Sequence, residues 1–152
     1  MEQKVSREEL TRVGLEWLEQ NYIASRDFFP KIFTEVSLND YLTLSLLTEK
    51  LNLHEDRVYL KDISQKLGLP MTDVSPRVQR LTDRGLVNWK HDKNNTYITI
   101  TDIGITAMKK QQERLVDFIE ASVVNFGYER FVELAKLRGA LNDTMEDIVA
   151  EF

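Results

Sequence analysis

Apolar and polar residues alternate with a period of two in one stretch of this sequence, and what precedes that stretch constrains the fold. It is LVNWKHDKNNTYITITDIG, Leu86 to Gly104, in which Val87 and Trp89 alternate with polar neighbours, as do Ile98 and Ile100. Alternation of this kind builds half-buried strands. Val87–His91 and Thr96–Thr101 are rich in β-branched and aromatic residues, and Asp92–Asn95 between them reads as a tight turn, because asparagine tolerates the positive φ that hairpins require. Immediately before lies LKDISQKLGLPMTDVSPRVQRLTDRG, with a period near 3.6 instead. Leu60, Ile63 and Leu67 share one face of a short helix, and Gly68 follows where a left-handed helix end favours glycine. Val74, Val78 and Leu81 form the stripe of a second helix, closed by Gly85. Two short amphipathic helices joined by a glycine-containing turn make a helix-turn-helix. Followed directly by a hairpin, it is a winged helix-turn-helix.

The flanks read as helix. Ser6 and Glu9 have capping-box spacing, and the helix they open carries Leu10, Val13, Trp17 and Leu18 and is expected to end near Phe29, ahead of Pro30. A second helix fits Leu38 to Leu51, capped by Ser37, with Tyr41, Leu44, Leu47 and Leu51 on one face; Val58–Leu60 fits a short extended piece. After Thr101, a helix cap, Met108, Leu115, Phe118, Ile119, Val123 and Phe126 line one long helix. Gly127 breaks it, and Phe131, Leu134, Leu141, Met145, Ile148 and Phe152 line the last. The expected fold is mainly α with a small β-hairpin wing. Residues 1–152 form one domain, with 37–101 as the winged helix-turn-helix and 1–36 and 102–152 as helices whose apolar faces exceed what that unit can cover.

With 152 residues, 42% hydrophobic and 30% charged, the chain is long enough for a real core. The absence of cysteine excludes disulfides and thiolate chemistry by this chain. No apolar run approaches a membrane span, and MEQKVSREEL lacks the basic end and apolar stretch of a signal peptide; a cytoplasmic protein without a membrane partner is expected. No Walker loop, His-Glu-x-x-His or Gly-x-Ser-x-Gly is present, so neither catalysis nor a cofactor is expected. His54–Asp56 is a polar cluster with metal-binding residue types but reads as a solvated loop, and no metal site is assigned. The net charge of -5 is unevenly spread. From Lys61 to Lys93 there are seven lysines and arginines against four acids, whereas the remainder holds 13 bases and 21 acids. A basic middle in an acidic frame is what contact with phosphates requires.

The ordered set DISQKLGLPMTDVSPRVQRLTDRGLV and ITITDIG resembles the MarR family of bacterial transcriptional regulators. The matching features are the Leu-Gly-Leu helix end, the apolar positions Val74, Val78 and Leu81, Gly85-Leu86-Val87, and Thr101 and Gly104 after the wing. The resemblance implies a homodimer built by the terminal helices, whose paired winged units bind a pseudo-palindromic operator in double-stranded DNA. It also implies release by a small aromatic effector bound between the dimerisation region and the winged unit, and Trp17, Tyr22, Tyr41 and Trp89 are aromatic candidates to line such a pocket, though aromatics at helical spacing more often serve a core. The expected function is a sequence-specific regulator, a ligand-responsive repressor; the alternative is a winged-helix interaction or structural module without DNA affinity, which the acidic balance and modest wing charge favour.

Two departures from the family pattern bear on the site. The family's Asp-x-Arg wing is replaced by HDKNNT, with no arginine between Gly85 and Thr101, so that minor-groove contact would fall to Lys93, Asn94 or Asn95. Pro76 lies inside the recognition helix. If Asp73 caps that helix, Pro76 occupies its third position, where the missing N–H costs no hydrogen bond. With Val74, Val78 and Leu81 turned inward, about 100° per residue puts Thr72, Pro76, Gln79 and Asp83 on the outer face, flanked by Ser75, Arg80 and Asp73. In a major groove, Gln79 suits an adenine edge and Arg80 a guanine or a phosphate. Thr72 and Ser75 suit phosphates or bases, and Pro76 suits a thymine methyl. Lys61, Lys66 and Lys90 are candidate phosphate contacts, while Arg77 and Arg84 lie nearer the buried edge, within reach of acids such as Asp73 or Asp83.

Overall fold

Among residues 4–55, 57–93 and 95–152, which the computed structural model describes, the chain begins with α1 (Arg7–Ile23), a π-helical turn (Ala24–Phe28) and α2 (Phe29–Ile32). It continues through α3 (Leu38–Asn52), α4 (Leu60–Leu67), α5 (Met71–Asp83), the strands β1 (Val87–Asp92) and β2 (Asn95–Ile100), α6 (Asp102–Phe126) and α7 (Tyr128–Ala150). These residues divide into two compact units, one ending at Arg114 and the other beginning at Leu115. No helix among them is long and apolar enough to cross a membrane.

Local chemistry sets the boundaries. Ser6 Oγ accepts the Glu9 N–H at 3.1 Å and the Glu9 carboxylate accepts the Ser6 N–H at 3.3 Å, closing the capping box. Ser37 Oγ caps α3 through the Asp40 N–H at 3.1 Å. The expected stop at Phe29 is not observed. A π-turn widens the helix ahead of Pro30, and the helical backbone continues through the ring to Ile32. Gly68 has φ 64°, the left-handed end expected of α4, and the Ser64 hydroxyl donates to the Leu69 carbonyl across the turn into α5.

The first unit has one core, built from every element of the helix-turn-helix and the wing. Val36, Leu44, Leu47, Val58, Ile63, Val74, Val78, Leu81, Leu86, Val87, Ile98 and Met108 are buried together. Burying the α5 stripe of Val74, Val78 and Leu81, each at most 1% exposed, contributes about 1.5–3 kcal/mol per side chain. The strands pair antiparallel from Val87 opposite Ile100 to Asp92 opposite Asn95. Val58 bridges to Ile98 on the other side of β2, and the Ile98 N–H donates to the Val58 carbonyl at 2.8 Å; the extended piece expected at Val58–Leu60 is shorter than that, because Leu60 is already the first residue of α4.

Two polar devices hold the part of α6 up to Arg114 within this unit. Gln111 is fully buried; its oxygen accepts the Glu35 and Val36 N–H groups at 3.0 and 3.3 Å, and its amide donates to the Ile32 carbonyl at 2.8 Å. Arg114 adds bonds to the Ile32 and Lys31 carbonyls at 2.9 and 2.7 Å. At the start of α6, Thr101 Oγ1 donates to the Gly85 carbonyl at 2.6 Å and accepts the Gly104 N–H at 3.0 Å, capping the helix and fastening it to the end of α5. Gly104 lies so close to the α5–β1 turn that a Cβ there would stand 2.1 Å from the Leu86 carbonyl oxygen and 2.8 Å from Ile100 Cγ1. Gly104→Ala is therefore expected to cost at least the roughly 1–3 kcal/mol of an overpacked core site, read as a lower urea midpoint. An unchanged midpoint would show that α6 can draw back freely.

Candidate nucleic-acid interface

The two faces of α5 differ sharply. Val74, Val78 and Leu81 are buried, while Thr72, Asp73, Ser75, Pro76, Gln79, Arg80 and Asp83 are exposed. The Gln79 amide donates to the Asp83 carboxylate at 3.0 Å, which orients the amide along the outer face. Asp73 does not cap the helix. Pro70 is the N-cap residue, and the Asp73 N–H already bonds to its carbonyl at 2.9 Å, so Asp73 is the third helical residue, favourably placed at the positive end of the helix dipole. Pro76 is consequently interior rather than in the first turn. Lacking an N–H, it leaves the Thr72 carbonyl without the donor four residues on, and both lie on the exposed face.

A cleft of about 520 Å³ opens beside the start of α5, lined by Tyr59, Leu60, Lys61, Met71, Asn95 and Thr96. It brings Lys61, from the start of α4, together with Asn95 at the wing tip. The Lys61 ammonium lies 5.7 Å from the centre of the Tyr59 ring, and Met71 is 44% exposed. Sequence reasoning missed Tyr59 and Met71, which add apolar surface between the two polar candidates. Lys93 is exposed in the hairpin turn and carries its positive φ, 49°, in the role expected of an asparagine. Asn94 lies outside the described residues, as does Asp56 of the His54–Asp56 cluster. Lys90 is exposed on β1 opposite Tyr97, away from the core side of the hairpin.

The wing also has an arginine that its own sequence lacks. Arg57, which directly precedes the Val58 rung, bonds to the Asp92 carboxylate at 2.6 Å and lies over the Tyr97 ring, 4.8 Å from its centre. The Asp92 hydrogen bond raises the guanidinium pKa above its already high value. Of the other cations, Lys66 is exposed on α4, and Arg84 donates to the Glu35 carbonyl at 3.1 Å rather than pairing with Asp73 or Asp83. Arg77 is half-buried and borders a cleft with Phe29, Phe33 and Ser37. The four aromatic candidates are dispersed. Trp17 and Tyr22 stand exposed on α1, Tyr41 packs against Phe33 and the core, and Trp89 packs against the core with its indole N–H buried and unpaired among the described residues.

Solved structures share this fold. A MarR family protein from Bacillus stearothermophilus matches with TM-score 0.66 at 21% identity, covering 91% of this chain and 97% of its own. A MarR family transcriptional regulator from Streptomyces coelicolor matches with TM-score 0.72 at 19% identity, over 88% of this chain and 96% of its own. The chain has the MarR-type winged-helix fold. The PcaV transcriptional regulator from Streptomyces coelicolor, solved in complex with its natural ligand, matches with TM-score 0.64 at 16% identity, over 93% of this chain and 98% of its own. No family model matches the sequence, and no curated protein matches it either.

Within this MarR-type fold α5 has an open outer face opposite its buried one, and Pro76 removes a backbone donor on that open face. A proline in a helix interior costs about 3 kcal/mol, offset by about 1 kcal/mol from the stiffer unfolded chain. Pro76→Ala is therefore expected to stabilise the protein by about 1–2 kcal/mol in chemical denaturation. No gain would mean that α5 accommodates the ring without losing a hydrogen bond.

Proposed function

We propose that this protein is a sequence-specific DNA-binding transcriptional regulator that acts as a homodimer, and that it is a repressor released by a small aromatic molecule. One observation carries the DNA reading. The exposed face of α5 presents hydrogen-bonding side chains with few fixed partners, while its other face is locked into the core and its N-terminal end adjoins the cleft shared by Lys61 and Asn95. In this reading Thr72, Ser75, Pro76, Gln79 and Arg80 meet bases and adjoining phosphates in the major groove, and Lys61, Lys90, Lys93 and Asn95 meet the backbone or minor groove. The effector is supported by the ligand complex of PcaV, a protein of the same fold.

The homodimer rests on a separate observation. Neither α1 nor α7 contains a buried residue, although Leu10, Leu18, Leu134, Leu137 and Val149 are each more than half exposed. Helices this long with uncovered apolar faces need a partner. Residues 1–36 and 102–152 are assigned to dimerisation and 37–101 to the winged unit. Sedimentation at micromolar concentration should show a dimer, and deletion of Asp143–Phe152 should weaken it; a monomer in the intact chain refutes this assignment.

The DNA reading is tested by selecting duplexes from a random library. The dimer should enrich a near-palindrome with half-sites about one helical turn apart, with affinity falling with salt, but less steeply than for a relative with an arginine-bearing wing. On that duplex Gln79→Ala should cost about 1–3 kcal/mol and relax one base position, with little effect on random DNA. Lys93→Ala should weaken both duplexes and lower the salt slope by about one unit. Equal losses from Gln79→Ala on both duplexes would mean that α5 docks in another orientation. Failure to enrich any duplex at low salt would favour a protein-interaction module, in keeping with the net charge of -5.

A further inference from the structure

We infer that Arg57 is a DNA-phosphate contact of the wing and that Asp92 holds it in competition with DNA; the inference rests on the DNA-binding reading above. The hairpin's own sequence supplies Lys90 and Lys93 as its cations. The fold adds a third from outside, because the Val58–Ile98 bridge lays the segment before α4 along β2. Successive residues of an extended chain point to opposite faces. Val58 is buried on the core side, and Arg57 turns to the outer side, over Tyr97 and against Asp92 beside the hairpin turn. Lys90, opposite Tyr97, lies on that same outer side.

The chemistry of this contact suits exchange better than permanent fastening. Both partners remain 42% exposed. Exposed ion pairs contribute little to stability and are screened by salt. The wing is already held by the β1–β2 ladder and by the buried Ile98 against Val58, so the ion pair is not needed to place it. Arginine stays charged throughout the accessible pH range, so Arg57 always keeps its attraction for anions, and another anion of matching shape can displace Asp92. A phosphodiester, like a carboxylate, offers two oxygens that a guanidinium can engage together, and it carries the field of its neighbours along the duplex. Tyr97, stacked beneath, keeps the guanidinium extended when Asp92 lets go.

The test compares wild type, Arg57→Gln, Asp92→Asn and the double variant by fluorescence anisotropy. Each is titrated across a salt series on the duplex enriched in selection and on a random duplex of equal length, and thermal melting is followed in parallel. Arg57→Gln should weaken both duplexes and lower the salt slope by about one unit. Asp92→Asn should act in the opposite direction, strengthening binding by up to about fivefold, the reach of an exposed ion pair. That gain should vanish in the Arg57→Gln background. If the pair merely fastens the wing, both single variants weaken binding and both lower the melting temperature, which overturns the inference. If Asp92→Asn strengthens binding equally with and without Arg57, Asp92 repels DNA by its charge alone and the inference is likewise overturned. Arg57→Lys separates charge from folding, since it should retain most of the salt slope. A wild-type dimer that binds neither duplex at low salt refutes the DNA reading itself, a result distinct from wrong signs in a protein that binds.

Discussion

The close approach of Gly104 to the Leu86 carbonyl is the contact on which the winged unit depends. Leu86 lies between the end of α5 and the start of β1, and its N–H already bonds to the Leu81 carbonyl at 3.0 Å while its carbonyl accepts the Thr101 N–H at 3.1 Å. Four segments thus meet within a few residues: the end of α5, the start of β1, the end of β2 and the start of α6. Any side chain at position 104 would force α6 away from that turn, and the Thr101 hydroxyl would lose either its cap or its bond to Gly85. The outer face of α5 and the wing are aimed by one junction, so their mutual angle is fixed before any ligand arrives.

The elements were legible because each has a local signal. The capping box at Ser6 and Glu9, the left-handed Gly68, the alternation around Val87 and Ile98 and the break at Gly127 each require only a short window of sequence. What was not legible required knowing which distant residues meet. Asp73 has the residue type and position of a cap, yet the backbone enters α5 three residues earlier, through Pro70, and Pro76 moves from the first turn into the interior as a result. The stop at Pro30 was misjudged because a π-turn, which has no composition signal, widened the helix ahead of the ring. Arg57 was invisible as a wing residue because the contacts that join it to the hairpin, the neighbouring Val58–Ile98 bridge and its own contacts to Asp92 and Tyr97, are all distant in sequence. Gln111 looks like any polar residue of a long helix; its burial follows from the unpaired backbone groups between Ile32 and Val36, which no spacing in its own helix reveals.

The same tertiary contacts retune the charge pattern that composition suggests. Seven basic residues lie between Lys61 and Lys93, yet Arg84 is committed to the Glu35 carbonyl and Arg77 is half-buried. Lys61, Lys66, Arg80, Lys90 and Lys93 remain exposed, accompanied by the exposed acids Asp73 and Asp83. The surface offered by α5 and the wing is therefore only mildly positive, and much of its recognition capacity is in neutral donors and acceptors: Thr72, Ser75, Gln79 and Asn95.

That balance has a consequence for how such a surface discriminates. Binding driven by phosphate neutralisation is indifferent to sequence and scales with the number of cations. Hydrogen bonds to base edges are few, directional and costly to leave unmade once water has been expelled. Under the proposed DNA reading, a face poor in cations and rich in neutral donors gains little from random DNA and loses much from a mismatched base. Asp83 strengthens this bias, since it orients the Gln79 amide while adding a charge that repels any backbone brought too near. Pro76 acts in the same direction, because an exposed ring tolerates a methyl group or a sugar but provides no donor for a phosphate. The cost of that proline to α5 is borne on the one face where a stronger helix former would remove an apolar contact surface. Under that reading, weak attraction and strict geometry are two results of one arrangement of side chains, set by a helix whose opposite face is buried in the core.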